Sequence, residues 1–255
     1  MRIVSLLLIL AAGLAVGVVT AVDPALDLRI AAHFHRPEVK AAVAALAPAF
    51  DVLRDYNTSL TLMFVLTSAS ALALKLIWPR GPMLVPARAA ILIISVFALG
   101  PALLANGILK PQGNRPRPAA VAELGGNQAF VQWWDWRGEC DGNCSFISGE
   151  ASTAFALLAP AVAVPPPWRG FAIAGAVVFG AVIGFGRIAV GAHFLTDILF
   201  SGVFMALIVW LLYGWIFAWR RTAVTEHALQ QILENHGMMV RAAVMRLWAG
   251  RRTQN

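Results

Sequence analysis

The sequence predicts an all-α protein, a six-helix transmembrane bundle with amphipathic helices at the membrane surface. Hydrophobic residues make up 59% of its 255 residues, and charged residues only 13%. The mean hydropathy is +0.72, which is far above that of an ordinary soluble domain. Apolar runs long enough to cross a bilayer recur along the chain, separated by segments rich in proline, glycine and arginine. These observations indicate an integral membrane protein.

The net charge of +7 does not indicate a nucleic-acid partner. Most basic residues stand beside apolar runs instead of forming one soluble patch. The positive-inside rule and the anionic lipids of a cytoplasmic leaflet account for such a distribution. We therefore expect the lipid bilayer, and not nucleic acid, to be the partner of these charges.

The first apolar run covers residues 3–22 and follows a single basic residue, Arg2. It is longer than the 7–15 residue apolar core of a secretory signal peptide, which favours a retained transmembrane helix. A signal sequence cleaved after Ala21 is the alternative.

Residues 23–57 mix charged and apolar residues. This pattern predicts two short amphipathic helices along the membrane surface, broken at Pro37 and at Pro48.

Five further apolar runs complete the predicted bundle, at residues 59–78, 89–109, 148–164, 170–187 and 193–219. Lys75 is expected to extend its side chain to the membrane interface. The turns at 79–88 and 165–169 are basic, which places them and the N-terminus in the cytoplasm. The predicted organisation is a first helix and periplasmic segment at 1–57, a core at 58–220 and a basic amphipathic tail at 221–255, lying on the cytoplasmic leaflet.

Three ionisable residues, Arg187, His193 and Asp197, interrupt an apolar stretch that could otherwise lie in the membrane. Such groups are costly there and mark functional sites. If a helix begins near Gly191, His193 and Asp197 share one face, and the carboxylate can hydrogen-bond the imidazole. This bond would leave the other ring nitrogen free as a base or nucleophile.

Two other polar segments reach the same side of the predicted bundle. Lys110 and Arg117 add two cations, and arginine suits bidentate contact with phosphate oxygens. Ser148 and Gly149 open the fourth membrane helix, so their backbone amides lie at the positive end of its dipole. Cations and a helix N-terminus form an anion site, and the histidine supplies a nucleophile. The combination predicts phosphoryl transfer.

With these residues the sequence resembles the superfamily of type-2 phosphatidic acid phosphatases and vanadium haloperoxidases. The family's three motifs read Lys-x6-Arg-Pro, Pro-Ser-Gly-His and Ser-Arg-x5-His-x3-Asp. The first matches at Lys110, Arg117 and Pro118, and the third at Arg187, His193 and Asp197, with Gly186 in place of the serine. The second is partial, because the segment reads Ile147-Ser148-Gly149-Glu150. The resemblance covers roughly residues 58–220.

The resemblance implies a role for each matched residue. His193 would become phosphorylated and Asp197 would orient it. Lys110, Arg117, Arg187 and the amides of Ser148 and Gly149 would hold the phosphate. Glu150 stands where the family has the histidine that protonates the leaving group. It is either a working acid or base, a structural partner of an arginine, or the mark of a lost function, because burial and nearby cations act on a carboxyl group in opposite directions.

Several residues near these motifs are given simpler interpretations. Arg115 and Arg137 are expected to be solvated loop charges, and His33 and His35 surface residues without a third metal ligand. The tryptophans at 133, 134 and 136 fit an interfacial belt better than a platform for a sugar headgroup. Cys140 and Cys144 could form a small disulfide outside the cytoplasm. No metal and no cofactor are expected, because three cations can replace a metal and no carboxylate cluster suggests magnesium.

The function predicted from the resemblance is a lipid phosphate phosphohydrolase of a bacterial inner membrane, with its active site facing the periplasm. Its candidate substrates are lipid A, undecaprenyl diphosphate, phosphatidylglycerophosphate and phosphatidate. Two alternatives stay open at this point. The protein could transfer phosphate from a lipid to another acceptor, or it could bind lipid phosphates without catalysis.

Overall fold

The computed structural model describes residues 3–252, except for the side chains of residues 244 and 247–252. The ends of the predicted first and last segments, residues 1–2 and 253–255, lie outside the described residues. The described chain folds into helices joined by turns and loops, with one isolated β-bridge between Val121 and Gln128. The predicted all-α class is confirmed.

The helices follow one another in an order close to that of the apolar runs. Pro37 and Pro166 begin two of them, as expected for a residue with a fixed φ and no amide hydrogen to satisfy. The helices are α1 Ile3–Val22, α2 Leu26–His35, α3 Pro37–Ile77, α4 Ala87–Gln112, α5 Gly149–Ala163, α6 Pro166–Ala189, α7 Leu195–Ala218 and α8 Glu226–Arg252. Short 3₁₀ turns at Pro118–Ala120 and Ala122–Leu124 lie in the long segment between α4 and α5.

Among the described residues, the five helices α1, α3, α4, α6 and α7 are long and apolar enough to cross a membrane. The chain is thus a multi-pass membrane protein. The fourth predicted span corresponds to α5, which is shorter and rises only about 22 Å at the usual 1.5 Å per residue. Because most of its first turns are buried among neighbouring helices, α5 does not need to match the thickness of the lipid by itself.

The helix break predicted at Pro48 is wrong. Pro37 does separate α2 from α3, but Pro48 lies inside α3, which continues through the predicted boundary at residue 57 to Ile77. An internal proline removes one hydrogen bond and crowds the preceding turn, and this cost is local. The alanine- and leucine-rich turns on both sides favour helix strongly enough to keep α3 continuous.

The apolar core lies between α4, α5, α6 and α7, around Phe155 of α5. Glycines let the other helices approach closely. A Cβ at Gly180 would lie 2.4 Å from the ring of Phe155, and one at Gly184 would lie 2.2 Å from Ile198. Small residues at such crossings are typical of helix packing in membranes. The close packing fixes the ends of these helices relative to each other.

The tail helix α8 packs against α3 and α4. Its position on the cytoplasmic leaflet stays a prediction. Lys75 is only 5% exposed. Its Nζ donates to Glu234 of α8 at 2.6 Å and to the carbonyl of Gly81 at 3.0 Å. Glu226 of α8 accepts the backbone amides of Ala87 and Arg88, at 2.6 and 3.1 Å. The first turn of α4 is thereby capped by the tail.

Candidate active site

The predicted nucleophile, His193, lies in the loop that joins α6 to α7 and is only 2% exposed. Its Nδ1 is 2.8 Å from the carbonyl oxygen of Ser145. Because a carbonyl can only accept, Nδ1 carries the proton and Nε2 keeps its lone pair. Burial lowers the pKa of His193 below its usual value, against the opposing effect of the Asp197 carboxylate. The imidazole is therefore neutral and has one nucleophilic nitrogen.

The direct hydrogen bond predicted between Asp197 and His193 is absent, because their Oδ2 and Nδ1 atoms are 3.6 Å apart. The helix α7 begins at Leu195, so the two residues do not share a helical face. Instead, Oδ2 of Asp197 accepts the amide of Phe194 at 2.8 Å and the hydroxyl of Ser145. Ser145 thus contacts both residues, orienting the imidazole with its carbonyl and the carboxylate with its hydroxyl.

The prediction that Arg115 is a solvated loop charge is wrong. Arg115 is 1% exposed, and its guanidinium donates to Asp197 at 2.6 Å and to Asp27 of α2 at 2.8 Å. Sequence reasoning missed Asp27, because nothing in the chain's local pattern joins α2 to a segment 88 residues later. Arg137 agrees with its prediction, since its side chain is 88% exposed and pairs with Asp135.

Two of the predicted cations come together through a residue that the sequence analysis did not single out. Lys110 is half-buried in the last turn of α4, and its Nζ donates to Oδ1 of Asn143 at 3.3 Å. Arg117 donates through Nε to the carbonyl of Asn143 at 3.1 Å. Asn143 lies in a short loop closed by a disulfide between Cys140 and Cys144. The loop thereby contacts both cations from one side.

The N-terminus of α5 lies against these cations. Ser148 caps the helix, with its hydroxyl accepting the amide of Ala151 at 3.3 Å. Gly149 is required by space, because a Cβ there would come within 2.7 Å of Asn106 Oδ1 and 3.2 Å of Lys110 Nζ. The ammonium group of Lys110 is thus close to the positive end of the helix dipole. Both features favour an anion at this point.

Glu150 lies in the first turn of α5 and faces the third cation. Its Oε2 is 3.2 Å from Nε of Arg187, which stands in the last turn of α6. Both side chains are partly exposed. A small cavity beside this pair is lined by residues of α3, among them Phe50, Asp51 and Arg54. Glu150 is therefore the ionic partner of Arg187.

All eight residues predicted for catalysis and phosphate binding lie at the same end of the bundle. His193 interacts electrostatically with Asp197, Lys110 and Arg117, and Lys110 interacts with Glu150 and Arg187. In residues 3–252, no three His, Cys, Asp or Glu side chains are grouped so that they could hold a metal ion. The arrangement can bind a tetrahedral anion between three cations and a helix N-terminus, next to a neutral imidazole.

The tryptophan cluster does not act as one unit. Trp133 packs against Phe146 and Phe200, with its ring centroid 4.3 Å from that of Phe200. Its Nε1 donates to the hydroxyl of Thr20 in α1. Trp134 and Trp136 are 43% and 45% exposed. Trp133 therefore joins the first helix to the core, and the other two remain available at the surface.

Residues 88–221 match the sequence model of the PAP2 superfamily. The chain is 36% identical over 130 residues to a lipid A 4'-phosphatase of Francisella tularensis subsp. novicida, covering 50% of this chain and 58% of that protein. It is 35% identical over 105 residues to a lipid A 4'-phosphatase of Rhizobium etli, covering 41% of each chain. The chain thus matches about half the length of these curated relatives.

Among solved structures, the chain is similar to a transmembrane PAP2-type phosphatidylglycerolphosphate phosphatase from Bacillus subtilis. The sequence identity is 22% and the TM-score is 0.40. The similarity covers 74% of this chain and 90% of that one.

Proposed function

Because the chain belongs to the PAP2 superfamily, we propose that it hydrolyses a phosphate ester of a membrane lipid. The observation that carries this proposal is the convergence of Lys110, Arg117 and Arg187 with the N-terminus of α5 beside His193. These groups come from three separate segments of the sequence, yet they lie together at one end of the bundle. Residues 58–220 form the phosphatase core in this proposal.

The reaction follows from the charges and the orientation of the imidazole. Nε2 of His193 attacks phosphorus, a P–N bond forms and the P–O bond to the lipid breaks. The three cations and the amides of Ser148 and Gly149 neutralise the charge on the phosphoryl oxygens. The negative charge of Asp197 stabilises the positive imidazole ring. Water then cleaves the P–N bond, releasing inorganic phosphate and restoring the neutral histidine.

The leaving oxygen needs a proton, and we assign its delivery to Glu150. The Glu150 carboxylate pairs with Arg187, 3.2 Å away. A bound phosphate is a stronger partner for the guanidinium and competes for it. We assign to the displaced carboxylate the uptake of a proton from water and its donation to the leaving alcohol. In the second step, the carboxylate accepts a proton from the water that attacks phosphorus.

The substrate that the comparisons favour is a phosphate on a sugar-bearing lipid of the lipid A class. The relatives from Francisella tularensis subsp. novicida and Rhizobium etli, at 35–36% identity, are named lipid A 4'-phosphatases. The exposed rings of Trp134 and Trp136, in the segment between α4 and α5, suit stacking on a sugar. Undecaprenyl diphosphate, phosphatidylglycerophosphate and phosphatidate are the comparison substrates.

The site is assigned to the periplasmic side of a bacterial inner membrane. The opposite end of the bundle carries Arg80, Arg88, Arg169, Arg220 and Arg221, as the positive-inside rule requires of a cytoplasmic face. The disulfide between Cys140 and Cys144 lies on the site's side. Disulfides persist in oxidising compartments such as the periplasm, which supports the same orientation.

The test is release of inorganic phosphate from the four lipids by the detergent-purified protein, with His193→Ala as the blank. We expect release from lipid A that is lost in His193→Ala. Phosphate that stays on His193 without being released would show that the protein is a phosphotransferase, which passes phosphate to another acceptor, and not a hydrolase. Lipid binding without any labelling of His193 would show that the protein binds lipid phosphates without catalysis.

A further inference from the structure

The catalytic aspartate belongs to a buried cluster that the proposed reaction leaves unexplained. Arg115 lies between two carboxylates, those of Asp197 in α7 and Asp27 in α2, and all three residues are at most 2% exposed. Nδ1 of His193 is 3.6 Å from the same Asp197. The cluster thus connects α2 to the nucleophile.

The cluster is almost completely hydrogen-bonded. Asp27 accepts from Arg115, from the backbone amide of Thr196 at 3.1 Å and from the hydroxyl of Thr196. Arg115 donates in addition to Thr196 Oγ1 at 2.8 Å and to the carbonyl of Val131 at 3.1 Å. Its guanidinium also lies over the ring of Phe194, at 4.3 Å. The first turn of α7, which carries Asp197, is therefore held from two directions.

The charges of the cluster explain why a second carboxylate is needed. Arg115 and Asp197 alone would form a neutral pair, and the guanidinium would cancel the negative charge that the imidazole needs when it becomes phosphorylated. Asp27 restores a net charge of minus one to the buried group. Interactions between charges in such a water-poor region are strong, so this difference reaches His193.

We infer that Asp27 and Arg115 are positioning residues of the active site. Arg115 fixes the carboxylate of Asp197. Asp27 balances the charge of Arg115, so that the buried group keeps a net negative charge next to His193. The inference rests on the proposed phosphatase activity. It also extends the site beyond the residues 88–221 that match the family model, because Asp27 comes from α2. At metal sites, residues that hydrogen-bond the metal ligands from behind typically change affinity or activity 10- to 100-fold when removed, and we expect an effect of that order for Asp27.

The experiment measures the pKa of the His193 ring by NMR of ¹⁵N-histidine-labelled protein in detergent, with His193→Ala for assignment. The charged groups that face this ring are Asp197, Lys110 and Arg117. We expect Asp27→Asn to lower the pKa of His193 and Arg115→Gln to raise it. The double variant Asp27→Asn, Arg115→Gln has the native net charge and is expected to return the pKa toward that of the wild type.

The kinetic arm uses lipid phosphate release by the same variants. We expect Asp27→Asn to lower kcat about 10-fold or more with KM within about twofold, and the double variant to recover part of the loss. Asp23→Asn is the matched control, because Asp23 is a partly exposed carboxylate next to the same helix, paired with Arg29. It should alter neither quantity.

The two arms separate this inference from the proposed function. If no lipid is hydrolysed by the wild type, the function is wrong, but the ring pKa values still test the cluster. An Asp27→Asn variant that stays folded, with the wild-type ring pKa and kcat, would overturn the inference. A pKa that moves in the same direction in Asp27→Asn and Arg115→Gln would also overturn it, because charge balance requires opposite shifts.

Discussion

At the scale of single residues, the environment of a side chain decides its chemistry more than its type does. The imidazole of His193 is neutral, with the lone pair on Nε2, because it is buried and because the carbonyl of Ser145 holds the proton on Nδ1. Arg115 and Arg117 are two positions apart, yet the first is buried between carboxylates and the second faces the anion site. Position in sequence alone does not distinguish these two arginines.

The lowered pKa of His193 predicts how stability depends on pH. The unfolded chain takes up a proton on this histidine near pH 6.5, whereas the folded chain does so only at lower pH. As the pH falls below 6.5, the unfolded state therefore binds more protons and the folded state loses stability. The melting temperature in detergent should fall between pH 7 and pH 5.5 by more in the wild type than in His193→Gln. Parallel decreases would contradict the prediction.

The role of Glu150 predicts a dependence on the leaving group. Glu150→Gln should reduce the rate at least 100-fold for an alkyl or sugar phosphate, whose alcohol must be protonated as it leaves, within the usual range of general acid catalysis. The loss should be much smaller for p-nitrophenyl phosphate, whose phenolate leaves without a proton. The measurement is kcat/KM for both substrates, because this ratio reports formation of the phosphohistidine and not its hydrolysis by water. Equal losses in kcat/KM would show that Glu150 does not protonate the leaving group and only holds Arg187.

At the scale of elements, the site is built from the ends of helices and one organising loop. Within the segment 140–149, Asn143 contacts the two cations Lys110 and Arg117. Ser145 contacts both His193 and Asp197, and Ser148 lies at the anion site. Its first part is closed by the disulfide between Cys140 and Cys144. The loop therefore sets distances between residues that the helices alone would leave apart.

The contact of this loop with two cations predicts an effect on substrate binding. Replacing both cysteines, as Cys140→Ala with Cys144→Ala, should raise KM several-fold, because the open loop no longer keeps Asn143 against Lys110 and Arg117. Asn143→Ala should have a similar effect, and the triple variant should be no worse than either, since residues acting through one contact are not additive. Steady-state kinetics check this. Additive increases in KM would mean that the disulfide and Asn143 act separately.

At the scale of the whole molecule, the antiparallel arrangement of the spans brings distant segments to one membrane face. The ends of α4 and α6 and the beginnings of α5 and α7 lie at the site, and the docked tail α8 lies at the opposite end. Segments more than 150 residues apart, around Asp27 and Asp197, meet through this topology. A multi-pass bundle thus forms its polar site where the helices emerge from the apolar layer.

The proposed orientation predicts which loops are accessible from outside the cell membrane. In a cysteine-free background, Arg137→Cys should react with a membrane-impermeant maleimide added to spheroplasts, because this exposed residue lies on the side of the site. Arg169→Cys, at the start of α6, should react only after permeabilisation. The opposite labelling pattern would place the active site in the cytoplasm.

The sequence by itself determined the membrane class, the order of the spans and the residues expected to bind phosphate. These properties are readable because a bilayer demands long apolar helices and because costly charges in them stand out. Only the tertiary structure decided three other features. The helix α3 continues through Pro48, α8 docks through Lys75 and Glu226, and Arg115 is buried. Each of them depends on which distant side chain supplies a partner, as Asp27 does for Arg115 across 88 residues, and no local pattern encodes that pairing.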